Sequence, residues 1–119
     1  MQKIIRGKQL PENYFEEKCF ITEVINDKTY PPFSIAKARV IPGVTTEPHH
    51  LTVSDEVYYI LSGKGEVELD GKVEGVVEAG DAVFIPKMKT QRIKNVGPED
   101  LIFLCVVSPR FDSENYKGL

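Results

Sequence analysis

At 119 residues, 41% hydrophobic and 28% charged, the chain has the length of one folded domain with a core that needs no covalent staple. A net charge of −3, spread without blocks, argues against a nucleic-acid or anionic-membrane partner. No apolar run suits a signal peptide or a membrane span, so a cytoplasmic protein is expected, with Cys19 and Cys105 as buried thiols in a reducing compartment.

Eight prolines and nine glycines punctuate the chain, and helix signals are weak. The stretch 10–17 is the one candidate for a helical turn. Beyond it, short β-branched and aromatic runs predict strands at 19–25, 33–41, 56–61, 65–69, 72–77, 82–85, 91–96 and 101–107. Many short strands at this interval predict an all-β sandwich or barrel. Asp70-Gly71 predicts a tight hairpin, because a type I′ turn needs positive φ at both central residues. Gly63 and Gly80 each precede a strand.

Period-two alternation sorts the side chains. Glu56, Tyr58 and Ile60 share one face of their strand, and Val57, Tyr59 and Leu61 share the other. Both faces are apolar apart from the glutamate, which predicts cover on both sides, by the interior and by another layer or subunit. In the strand 91–96, Arg92 and Lys94 mark the wet face, so Gln91, Ile93 and Asn95 turn inward. The strand 101–107 has no polar side.

His49, Glu56 and Gln91 are thus expected in an apolar interior. An ionised Glu56 needs compensation there. One solution is a divalent ion held by the imidazole, the carboxylate and the amide oxygen. Such donors suit Fe, Mn, Zn, Ni or Cu without choosing among them, and would bind weakly and be lost easily. The other is a metal-free network in which His49 and the Gln91 amide both meet the Glu56 carboxylate and Tyr58 closes the ring. His50 would face away from His49 unless a bulge turns it inward.

The order Gly43, His49, Glu56, Gly63, with five, six and six residues between, carries a resemblance. Pro42-Gly43, Thr46-Glu47-Pro48-His49 and the run from Asp55 to Gly65 resemble the first motif of the cupin superfamily. Gly80-Asp81-Ala82-Val83-Phe84-Ile85-Pro86 and Gln91-Arg92-Ile93-Lys94-Asn95 resemble the second. The resemblance implies a double-stranded β-helix, the jelly-roll cupin barrel, over a single domain of residues 1–119, with motifs at 43–63 and 80–95. It puts His49 and Glu56 in the first-histidine and glutamate ligand places and Gln91 in the last. Leu51 stands where the pattern has a second histidine, and Asn95 where an asparagine closes a turn. The stretch 95–111 also resembles a subset of small prokaryotic cupins that share these substitutions and carry no activity over to this chain.

From this reading, Glu56 is the catalytic candidate, and His49, Glu56 and Gln91 are the metal candidates. The expected pocket adds His50, Tyr58, Phe84, Met88, Ile93 and Phe103 around a small-molecule ligand. The N-terminal strand and the two-sided strands predict a homodimer. Three functions follow: a divalent-metal-dependent enzyme, isomerase- or dioxygenase-like; a non-catalytic metabolite- or sugar-binding cupin with a metal-free pocket; and a structural dimer module.

Overall fold

The computed structural model describes residues 2–118, and they form eleven strands and two one-turn 3₁₀ helices, Gly7–Gln9 and Ser113–Asn115. The strands are β1 (Asn13–Phe15), β2 (Cys19–Ile25), β3 (Ser34–Val40), β4 (His49–Leu51), β5 (Asp55–Ser62), β6 (Lys64–Leu69), β7 (Lys72–Glu78), β8 (Ala82–Ile85), β9 (Gln91–Asn95), β10 (Leu101–Ser108) and β11 (Tyr116–Gly118). They build one sheet in the order β1-β2-β3-β10-β5-β8 and a second in the order β11-β4-β9-β6-β7. Every pairing is antiparallel. This is the jelly roll the motif spacing implied. No helix among the described residues is long and apolar enough to cross a membrane.

The stretch 10–17 departs from the helical expectation. Asn13, Tyr14 and Phe15 are extended and pair with Ile21, Phe20 and Cys19. Pro11 disfavours helical angles at the residue before it, and ladder bonds to β2 then outweigh any local turn. A turn at residues 16–18, with Lys18 at φ 67°, closes this hairpin. The strands β4 and β11, three residues each, were not anticipated. The Asp70-Gly71 turn has φ of 50° and 79°, as a type I′ hairpin requires.

Alternation holds where it was read. Glu56, Tyr58 and Ile60 are buried, as are Gln91, Ile93 and Asn95, while Arg92 and Lys94 are exposed. The core gathers Val40, Ile60, Val67, Ile85, Ile93 and Leu101 between the sheets. On the outer face of β5, Tyr59 and Leu61 are exposed and no further layer among the described residues covers them, which leaves that face to the subunit alternative.

Asn95 locks the end of β9. Its Nδ2 donates to the carbonyls of Val40 (2.8 Å) and Glu99 (2.7 Å), and its Oδ1 accepts from the Gly97 amide (2.9 Å). Truncation would leave these buried groups unpaired. Asn95→Ala is therefore expected to lose ~3 kcal/mol in urea unfolding; a loss under ~1 kcal/mol would show that water replaces the side chain.

Candidate functional site

A cavity of about 610 Å³ opens at one end of the barrel. Strands β2, β3, β5 and β10 supply its floor through Cys19, Ala36, Ala38, Glu56, Tyr58, Phe103 and Cys105. His49 and Leu51 of β4 form a side wall. The β1–β2 hairpin, through Tyr14 to Glu17, and the C-terminal residues Phe111, Ser113 and Tyr116 complete the rim.

Glu56 sits in this floor at 6% exposure. Burial pushes its carboxyl up from an ordinary 4.5 to about 7, against the pull of hydrogen bonds from the Gln91 amide and the Cys105 thiol. The Tyr58 hydroxyl donates to Gln91 Oε1, which leaves the Gln91 NH₂ for the carboxyl. The Tyr58 ring packs on Phe103 with centroids 4.6 Å apart. Burial, then the charge of Glu56, holds the Tyr58 hydroxyl well above its usual range.

His49 turns elsewhere. Its Nδ1 lies 3.2 Å from the Glu47 carbonyl and 3.8 Å from Glu17 Oε2, and its ring stacks on Tyr116 at 4.7 Å. A carbonyl only accepts, so Nδ1 carries the hydrogen and Nε2 of the neutral ring keeps its lone pair. Burial lowers the His49 pKa, opposed by the Glu17 charge. Among the described residues no hydrogen bond joins His49 to Glu56, so the metal-free network forms without its histidine.

The expected pocket is partly displaced. Tyr58 and Phe103 line the cavity, whereas His50, Phe84, Met88 and Ile93 do not. Phe84 is 62% exposed because it pairs with Val57 on the outer face of the sheet. Met88 is 57% exposed at a turn with φ 72°. Ile93 is core, packed over Gly65. The continuous pairing of β4 with β11 leaves no bulge to turn His50 inward, and its Nδ1 is buried without a partner. Gln91 reaches the cavity only through Tyr58 and Glu56. The cavity also takes in Glu17, Cys105 and Tyr116, which the sequence did not mark as site residues. Glu17 was hidden by the helical reading of 10–17, and Tyr116 lies beyond the last anticipated strand.

As donors for Fe, Mn, Zn, Ni or Cu, the three candidates do not fit well. Among the described residues no group of three His, Cys, Asp or Glu side chains could hold a metal. The set offers one imidazole, one carboxyl whose burial favours its proton, and one amide oxygen already accepting from Tyr58.

Residues 36–107 match the family described as Cupin domain. The chain is 31% identical to an uncharacterized protein of Methanocaldococcus jannaschii, over 94% of this chain and 96% of that one. It is 35% identical to the oxalate-binding protein of Thermotoga maritima over 60% of this chain and 59% of that one. Among solved structures, Streptomyces Pac13 with uridine superposes at a TM-score of 0.84 with 14% identity, over 100% of this chain and 91% of that one. Pac13 is described as a nucleoside dehydratase; at this identity the likeness is one of fold.

Proposed function

This chain belongs to the cupin family, and from that premise we propose that its cavity binds one small organic molecule and moves a proton on it through Glu56. The observation that carries the reading is the Glu56 carboxyl itself. It is buried in the floor of a ligand-sized cavity, and among the described residues no lysine, arginine or histidine pairs with it. A carboxyl poised near neutrality can take a proton from one ligand atom and return it to another. The reaction class is isomerisation or elimination, and it needs no oxidant. Tyr58, held by Gln91, and the lone pair of His49 Nε2 would orient the ligand's polar groups. The homodimer and the cytoplasmic setting expected from the sequence belong to this proposal.

A second reading, a metabolite- or sugar-binding cupin without catalysis, is favoured by the Tyr58–Gln91–Glu56 network, which satisfies its own polar atoms. The two part in deuterated water. Proton transfer predicts solvent deuterium entering a carbon of the bound ligand, lost in Glu56→Gln; a ligand that binds without exchange leaves only the binding module. Blocking the cavity with Ala36→Leu is expected to abolish ligand-induced thermal stabilisation in either case, and undiminished stabilisation would place the site elsewhere. After growth with Mn, Fe, Ni or Zn, metal content is expected below about a tenth of an ion per subunit. A stoichiometric ion would restore the metal-dependent enzyme.

A further inference from the structure

The charge of the cavity lining is one-sided. Glu56 lies deep, Glu17 lies half-buried beside His49, and Glu16 and Glu23 stand exposed at the rim. No lysine or arginine lines the cavity among the described residues. The nearest basic side chain of the hairpin, Lys18, is already bound to Glu47 at 2.8 Å. Aromatic rings supply much of the remaining wall: Tyr14, Phe15, Tyr58, Phe103, Phe111 and Tyr116. Tyr58 leans on Phe103, and Phe111 meets Tyr116 edge-on at 6.4 Å.

These features select a ligand by charge. Ring faces carry negative electrostatic potential, and desolvated ring walls attract an organic cation. The acidic groups around them add to that attraction, and an organic cation seated beside Glu56 would favour its ionised form. A carboxylate or phosphate ligand would meet the same glutamates with no lysine or arginine among the described lining residues to pair it, and burial disfavours the charged form of the one histidine there, His49. Glu56 supplies the independent sign: it is a carboxyl at 6% exposure, lining the cavity, with no cationic partner among the described residues.

We infer that the molecule this cavity accepts is a small organic ammonium compound, its charged nitrogen set between Glu17 and Glu56 and its carbon frame among the aromatic rings. The inference rests on the cavity being the binding site, as proposed above. It separates this chain from its Thermotoga maritima relative, which is named for binding oxalate, a dianion.

Three probes of one shape test it by calorimetric titration at a single ionic strength: benzylammonium, benzyl alcohol and benzoate. Benzylammonium is expected to bind at least about tenfold more tightly than the alcohol, and benzoate more weakly than either. Glu17→Gln, at the hairpin turn, is expected to weaken benzylammonium several-fold and leave the alcohol unchanged. If the alcohol or benzoate binds as tightly as benzylammonium and Ala36→Leu blocks it, the cationic ligand is overturned while the cavity stands as a binding site. If none of the three binds, both are overturned.

Discussion

Replacing Gly63 by alanine is expected to cost ~4 kcal/mol, a large part of the 5–15 kcal/mol that typically holds a domain folded. Gly63 joins β5 to β6 at φ +87°, where an L residue is strained by ~1–2 kcal/mol. A Cβ there would also lie 2.7 Å from the Asp100 carbonyl oxygen and 2.8 Å from the Leu101 Cα. Both obstacles are backbone, so no rotamer change relieves them, and overpacking of this kind adds ~1–3 kcal/mol. The strand that must yield is β10, which carries Phe103 and Cys105 of the cavity floor. Gly80 is the internal control, because at φ +91° it has open space around it. Gly80→Ala is expected to cost only the conformational part, ~1–2 kcal/mol. Urea midpoints measure both. Equal losses at the two positions would show that the close approach of β10 to Gly63 does not matter.

Glu56→Gln is expected to stabilise the protein above neutral pH. The folded carboxyl titrates at about 7 and the unfolded one near 4.5, so folding holds the proton more tightly. Below 4.5 both states are protonated and the residue imposes no penalty. As pH rises from 4.5 to 7 the unfolded chain ionises first, stability falls, and above 7 the loss levels off at roughly 3 kcal/mol. His49 works in the opposite sense. Its folded pKa is lowered from 6.5, so its contribution is complete above 6.5 and is lost as pH falls. The difference between wild type and Glu56→Gln isolates the carboxyl. Glutamine keeps the shape and cannot ionise, so the variant is expected to gain roughly 3 kcal/mol at pH above 7 and almost nothing near 4.5. Denaturant unfolding across that range reads the difference directly. A gap that does not change with pH would mean that Glu56 is compensated in the folded state.

The proposed function accounts for such a penalty. A chain free to optimise stability would place glutamine or leucine at 56. The cost is reasonable where a ligand or a transferred proton completes the site.

Much of this was legible in the chain. Asp70-Gly71 declared its turn, and Gly63 marked a strand junction. Alternation alone turned Glu56, Tyr58 and Gln91 inward, because the side-chain period of a strand is two and leaves little freedom once one face is wet. What alternation cannot supply is depth and register between distant segments. Phe84 and Tyr58 lie on neighbouring strands, yet Phe84 pairs with Val57 and so faces outward. The strands β1 and β11 are too short to announce themselves, since three residues draw their order from ladders with β2 and β4. Those same two strands, with the turn after β1, bring Glu17 and Tyr116 to the cavity. The rim was therefore the least readable part of the site, and the floor the most.

Glu56 faces the cavity as a buried carboxyl that no cation among the described residues pairs. Carbon-13 NMR of its side-chain carboxyl, followed against pH in wild type with Glu56→Gln as the assignment control, tests this most directly. A transition at about 7 is expected, and it moves when the cavity is filled. A transition near the ordinary 4.5, indifferent to anything added, would contradict it.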